Sequence, residues 1–114
     1  MRQNLINHVN NVLIPMGFSR QGDDFTKEFD HATPGGEMNI NGRIIRMPDR
    51  KAHYTFLINL LGTGSISDDK SYEEFECVEF IVQEDNEIKQ SVEVAIYYNQ
   101  INEFNEYLKM CFGL

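Results

Sequence analysis

Residues 38–61 run Met38-Asn39-Ile40-Asn41-Gly42-Arg43-Ile44-Ile45-Arg46-Met47-Pro48-Asp49-Arg50-Lys51-Ala52-His53-Tyr54-Thr55-Phe56-Leu57-Ile58-Asn59-Leu60-Leu61, and the fold class turns on them. Asn41-Gly42 is a two-residue hairpin signal, because both residues tolerate the positive φ of a type I′ turn. A reversal there puts Met38 and Ile40 on one face with Ile45 and Met47. A second reversal over Pro48 to Lys51 adds Tyr54, Phe56, Ile58 and Leu60 to the same face, so the alternation agrees across both turns. Tyr54 to Leu61 is apolar on both faces, with Leu57 and Leu61 opposite the even positions, which predicts a central strand. The expectation is a meander-like antiparallel sheet.

Toward the N-terminus, Leu5, Ile6, Val9, Val12 and Leu13 form one stripe of an amphipathic helix, and Pro15 and Gly17 end it near Leu13 or Ile14. Phe18 to Gln21, a Gly22-Asp23 turn and Asp24 to Asp30 then read as a hairpin with Phe18, Phe25 and Phe29 on one face. Asp30 to Gly36, with Pro34 and the Gly35-Gly36 pair, reads as a loop.

Toward the C-terminus, Gly62 to Ser71 is the longest loop candidate. Phe75 and Cys77 are odd-numbered while Val78, Phe80 and Val82 are even, so a strand here needs a bulge near Cys77 to keep one apolar face. A short helix over Tyr72 to Val78, opening at Ser71 with Glu74 as capping partner, is the competing reading, and the strand is preferred. A three-residue loop of Glu84, Asp85 and Asn86 pairs Val82 with Ile88 and Val78 with Val92, with Asn86 left-handed. Ile88, Val92, Val94, Ile96 and Tyr98 share a face of the last strand. Ile101, Phe104, Leu108, Cys111 and Phe112 define a second helix with Asn99 available as its N-cap. Together these predict one α+β domain over residues 1–114: an antiparallel sheet of about five to seven strands, with the N- and C-terminal helices packed on one face.

Composition agrees. Ile, Val, Phe and Tyr number 30 against 10 for Ala and Leu, which favours sheet over helix bundle. At 114 residues the chain fits one domain. Its longest apolar run, Val94 to Tyr98, is far short of the roughly 20 residues of a membrane span, and the Asn-rich start is no signal peptide. A soluble cytoplasmic protein is expected, with Cys77 and Cys111 as reduced, buried, small hydrophobes.

Charge is unevenly placed. The net charge is -8. Residues 1–67 hold six acids and seven bases, whereas residues 68–114 hold twelve acids and three bases. Direct nucleic-acid binding is disfavoured, because phosphate contacts depend on Lys and Arg. Arg43, Arg46, Arg50 and Lys51 form one small basic segment.

No catalytic constellation stands out. Gly62-Thr63-Gly64-Ser65 has phosphate-loop glycines, but Ser67 replaces the third and Asp68-Asp69 would repel phosphate. His8, His31 and His53 lie at no metal-ligand spacing. Asp23, Asp24, Asp30 and His31 flank one hairpin but lack the alternate-residue spacing of a calcium loop. Neither metal nor cofactor is expected. The informative segment is acidic: from Asp68 to Glu87 there are nine acids and one base. With the bulge, Glu74, Glu76 and Glu79 project opposite Phe75 and Phe80, and Glu93 on the paired strand joins them. Asp68, Asp69, Glu74, Glu76, Glu79 and Glu93 therefore make a candidate docking surface for a basic protein. The alternative is a small-ligand domain or small enzyme with a cleft between sheet and helices near His53, Tyr54, Thr63 and Ser65.

Ile14-Pro15-Met16-Gly17-Phe18, followed across Gly22 by Phe25-Thr26-Lys27, resembles the opening of a family of small bacterial domains of unknown function. Some of these are similar to immunity proteins of polymorphic toxin systems. The resemblance covers about the first quarter of the chain. It implies an α+β sheet domain and an inhibitor role, and it carries no catalytic residues.

Overall fold

A computed structural model describes all 114 residues. The chain runs α1 (Arg2–Leu13), β1 (Ser19–Gln21), β2 (Asp24–Thr33), β3 (Gly36–Ile40), β4 (Arg43–Met47), β5 (Arg50–Ser67), β6 (Tyr72–Glu84), β7 (Glu87–Tyr97) and α2 (Glu103–Phe112). Five strands form one antiparallel sheet in the order β1-β2-β5-β6-β7, and β3 and β4 pair only with each other. This is the expected α+β class.

Both helices lie on one face of the sheet. Leu5, Ile6, Val9 and Leu13 of α1 and Phe104 and Leu108 of α2 bury against Phe25, Phe56, Ile58, Leu60, Val78, Phe80 and Ile96. Phe112 stacks on Phe56 with ring centroids 4.3 Å apart and planes 2° from parallel. No element covers the other face.

The decisive segment departs from the expected meander. Pro48 to Lys51 makes no reversal: β4 pairs with β3, and β5 pairs with β2. Asp24 lies opposite Asn59, Thr33 opposite Arg50, Gly36 opposite Met47 and Ile40 opposite Arg43, so one register runs unbroken through both pairings. Residues 24–59 are therefore a single long hairpin, closed by Asn41 at φ 52 and Gly42 at φ 81. Only Pro34, Gly35, Pro48 and Asp49 interrupt it, because proline has no N–H for the ladder. At Gly35 the strands approach so closely that a Cβ would run into the Met47 carbonyl oxygen, and the Gly35 N–H donates to Asp49 Oδ1 at 2.6 Å. The Asp30 to Gly36 loop thereby shrinks to two residues.

From Asp24 to Asn41, at about 3.3 Å per residue, the ribbon is about 57 Å long. It accounts for the molecule's extents of 71 × 29 × 21 Å. The radius of gyration is 19.3 Å, where a compact chain of this size has about 13 Å.

Three further positions correct the sequence reading. Gly62 to Ser67 is strand, leaving Asp68 to Ser71 as the turn. The bulge falls at Leu61 on β5, not near Cys77, and β6 alternates without interruption. Gly62 follows it at φ +123, a conformation open to glycine alone. The β6–β7 connection is a two-residue Asp85-Asn86 turn, φ 51 and 68, placing Glu84 opposite Glu87 and Val78 opposite Val94. A bulge between Val82 and Gln83 absorbs the odd residue. Helix α2 starts at Glu103 behind Asn102, so Asn99 is not its cap.

Candidate functional site

The relocated bulge decides where the acids go. In an uninterrupted β6, Glu76 shares its face with Val78 and Phe80 and points toward the helices. It is fully buried. A buried carboxylate is tolerable only when every lone pair is met, and here four donors meet it. Arg2 donates from Nε to Oε1 at 2.8 Å and from Nη2 to Oε2 at 3.1 Å. The Tyr98 hydroxyl donates to Oε1 at 2.8 Å, and the Gly62 N–H, released from the ladder by the bulge, donates to Oε2 at 2.8 Å. Thr63 Oγ1 lies 2.7 Å from the Tyr98 hydroxyl, and Arg2 also reaches Asp23 at 3.1 Å. The Glu76 hydrogen bond holds the Arg2 guanidinium firmly protonated, and burial pushes the Tyr98 phenol up. Nothing buried in this cluster lacks a partner. It clamps α1 to the bulge and leaves no group free for chemistry.

The six candidate acids are therefore split. Glu76 is internal, which removes it from any docking surface. Glu74 shares its parity and is exposed at the sheet end, where its carbonyl accepts from Tyr98 N–H. Asp68 caps the β5–β6 turn, accepting from Lys70 N–H at 2.8 Å and Ser71 N–H at 2.7 Å, bonds that lower its pKa. Asp69 lies exposed beside it. Glu79 and Glu93 remain on the uncovered face, directly opposite one another in the β6–β7 register. Glu79 accepts from Asn59 Nδ2 at 3.1 Å.

The four cleft residues do not converge. His53 and Ser65 are twelve positions apart on β5, about 40 Å, and Tyr54 projects from the opposite face to His53. Tyr54 stacks on Phe29 at 5.6 Å and borders an open depression of about 340 Å³, with Phe29, His31, Phe56, Cys111 and Phe112. His53 Nδ1 lies 2.9 Å from Asp30 Oδ1 on the uncovered face. That hydrogen bond raises the His53 pKa and lowers that of Asp30. Both cysteines are free and half-buried.

What the structure does assemble is a continuous uncovered surface. On the sheet it carries Leu57, Ile81, Cys77, Ala95, Phe75 and Tyr97, all half-buried. Phe75 and Tyr97 meet edge to face at 5.4 Å, and Gly64 leaves the room: a Cβ there would sit 2.6 Å from the Phe75 ring. The row Asn59–Glu79–Glu93 crosses it between Leu57 and Ile81 on one side and Cys77 and Ala95 on the other, and Glu28 and Asp30 lie along β2. Along the unbroken hairpin register, Met38, Ile40, Ile45 and Met47 carry the parity of Asp30, His53 and Leu57, not that of Phe29 and Phe56. The arm thus extends the uncovered face. These four side chains are 46–52% exposed, with Arg43 on the same side and a Glu37–Arg46 ion pair at 3.3 Å on the other.

Sequence reasoning grouped Met38, Ile40, Ile45 and Met47 correctly but assigned them to the core. It missed Arg2, and it did not foresee that Leu57 and Ile81 lie half-buried on a face no helix covers. The one signal for the arm was the pair of prolines, Pro34 and Pro48, one register step from mirror positions about the Asn41-Gly42 turn. No protein-family model matches the chain, and neither a curated protein nor a solved structure matches it. No helix is long and apolar enough to cross a membrane.

Proposed function

We propose that the chain is a non-catalytic docking domain that binds a basic protein partner through the uncovered face of its sheet. The observation behind this reading is that face itself: five strands wide, half apolar, crossed by the paired carboxylates of Glu79 and Glu93 and prolonged by an arm that touches no core residue. Exposed apolar surface of this extent marks interaction sites. Opposed fields accelerate encounter and exclude wrong partners. Glu79 and Glu93 carry the recognition, and like charges placed directly opposite in a sheet repel until a cation arrives. Inhibition of a basic toxin, as the resemblance of the first quarter implies, is the most concrete version.

The test is a salt-graded pull-down from the native host with the wild type and a Glu79→Lys/Glu93→Lys variant. A basic protein retained by the wild type at low salt, and lost both on reversal and at high salt, supports the reading. Equal retention by both baits refutes it.

A further inference from the structure

We infer that the basic partner segment for this face is present in the chain itself: the hairpin arm of a second copy lies across the uncovered sheet face, and two chains exchange arms in a symmetric dimer. This rests on the docking reading above and names the occupant of that surface.

Charge complementarity comes first. Residues 34–51 hold Arg43, Arg46, Arg50 and Lys51 against Glu37 and Asp49, while the rest of the chain holds 16 acids and six bases. Within the arm, Arg46 is neutralised by Glu37, and Lys51 lies 3.5 Å from Asp30. Arg43 stands at the tip among the apolar side chains and makes no ion pair within its own chain. Glu79 and Glu93 form the matching site, two carboxylates paired across strands with no cation between them.

Apolar surface matches apolar surface as well. Met38 and Ile45 face each other across the hairpin and, with Ile40 and Met47, keep about half their surface exposed with no core residue over them, while Leu57 and Ile81, and beyond the Glu79–Glu93 row Cys77 and Ala95, offer comparable apolar chemistry. Symmetry makes the fit reciprocal. A two-fold interface needs the same patch on both subunits. Because arm and sheet strip share one parity, two ribbons laid antiparallel, face to face, bring each arm onto the other's sheet simultaneously.

Sedimentation velocity on the full chain tests this. The wild type is expected at twice the chain mass of 13.3 kDa. An Arg43→Glu variant and a Glu79→Lys/Glu93→Lys variant should each run as monomers, since each sets like charges together. Mixed in equal amounts, the two should form dimers, because the reversed arm then meets the reversed face while the native arm meets the native face. Circular dichroism controls for folding; should the lysine variant misfold, Glu79→Gln/Glu93→Gln replaces it and is expected to weaken self-association about tenfold.

A wild type that stays monomeric, or reversals that leave the dimer intact, overturns the inference. Reversed variants that fail to rescue each other overturn it as well, because the arms would then pack elsewhere. If the wild type is monomeric yet retains a basic protein in the pull-down, the docking reading stands and only the second copy is wrong. If it does neither, both fail.

Discussion

Replacing Glu76 by alanine tests the assignment of this residue to structure and not to docking. The change removes an acceptor that takes four hydrogen bonds. The three residues that supply those donors are then stranded to different degrees. Arg2 is one-third exposed and keeps Asp23, so it recovers water on one side. The Tyr98 hydroxyl keeps Thr63 at 2.7 Å. The Gly62 N–H has no other acceptor, since the bulge took it out of the ladder. Removing one partner of a fully buried pair costs about 3–5 kcal/mol. The partial exposure of Arg2 argues for the low end, about 3 kcal/mol, in a domain whose whole stability is about 5–15 kcal/mol.

Thermal denaturation followed by circular dichroism measures this directly, with an expected fall in melting temperature of about 10–15 °C. Glu76→Gln should cost less, because the amide keeps one acceptor oxygen while turning a donor toward Arg2 or Gly62. Glu93→Ala, on the exposed face, should shift stability by no more than about 0.5 kcal/mol. If Glu76→Ala lies within that same margin, the buried cluster is not what holds α1 to the bulge, and its geometry has been misread.

The His53 resonances should titrate above the usual 6.5, and Asp30→Asn should bring them back toward it, because the carboxylate favours the imidazolium. The pair's stabilisation is present below the ordinary histidine value and fades as pH rises through the raised one; Asp30's share is present above 3.8 and fades as pH falls through its lowered value. NMR titration of wild type and variant decides, and an unshifted His53 refutes the contact. Cys111, whose thiol burial pushes up, should react slowly with a thiol reagent in the native protein and quickly in denaturant; fast native labelling contradicts its packing beside Phe112. Replacing Gly36–Met47 by an Asn-Gly turn should change the stability of dilute protein by about 0.5 kcal/mol or less, since no arm residue belongs to the core. A loss above about 2 kcal/mol would mean the arm packs on its own body.

Local chemistry was legible wherever one residue type suffices. The Asn41-Gly42 turn, the end of α1 before Pro15, the left-handed Asn86 and the apolar stripes of both helices follow from propensity and period alone. The failures are of another kind. Placing the bulge near Cys77 or at Leu61 satisfies the same alternation, and the choice falls to Gly62, which alone can take φ +123. That one-residue difference transfers Glu76 from a surface to the interior. It also turns Phe75 outward, because a slip in a strand exchanges its faces wholesale. Arg2 was invisible as a partner, since nothing in local spacing links residues 74 positions apart.

The arm was misread for a reason that bears on function. Alternating Met38, Ile40, Ile45 and Met47 says that a face is to be covered; it does not say by which chain. A meander would have covered it with the chain's own helices, but their stripes are already filled. Leu5, Val9 and Leu13 bury on α1, and Phe104 and Leu108 on α2, against Phe56, Ile58, Val78 and Phe80. Parity along the continuous register turns them away from the helices in any case. On the docking proposed above, the alternation is met from outside the subunit, by a contact that accepts Arg43 along with the four apolar groups. An apolar strip with two unneutralised carboxylates meets both conditions, and the chain carries one on the same face of the same ribbon.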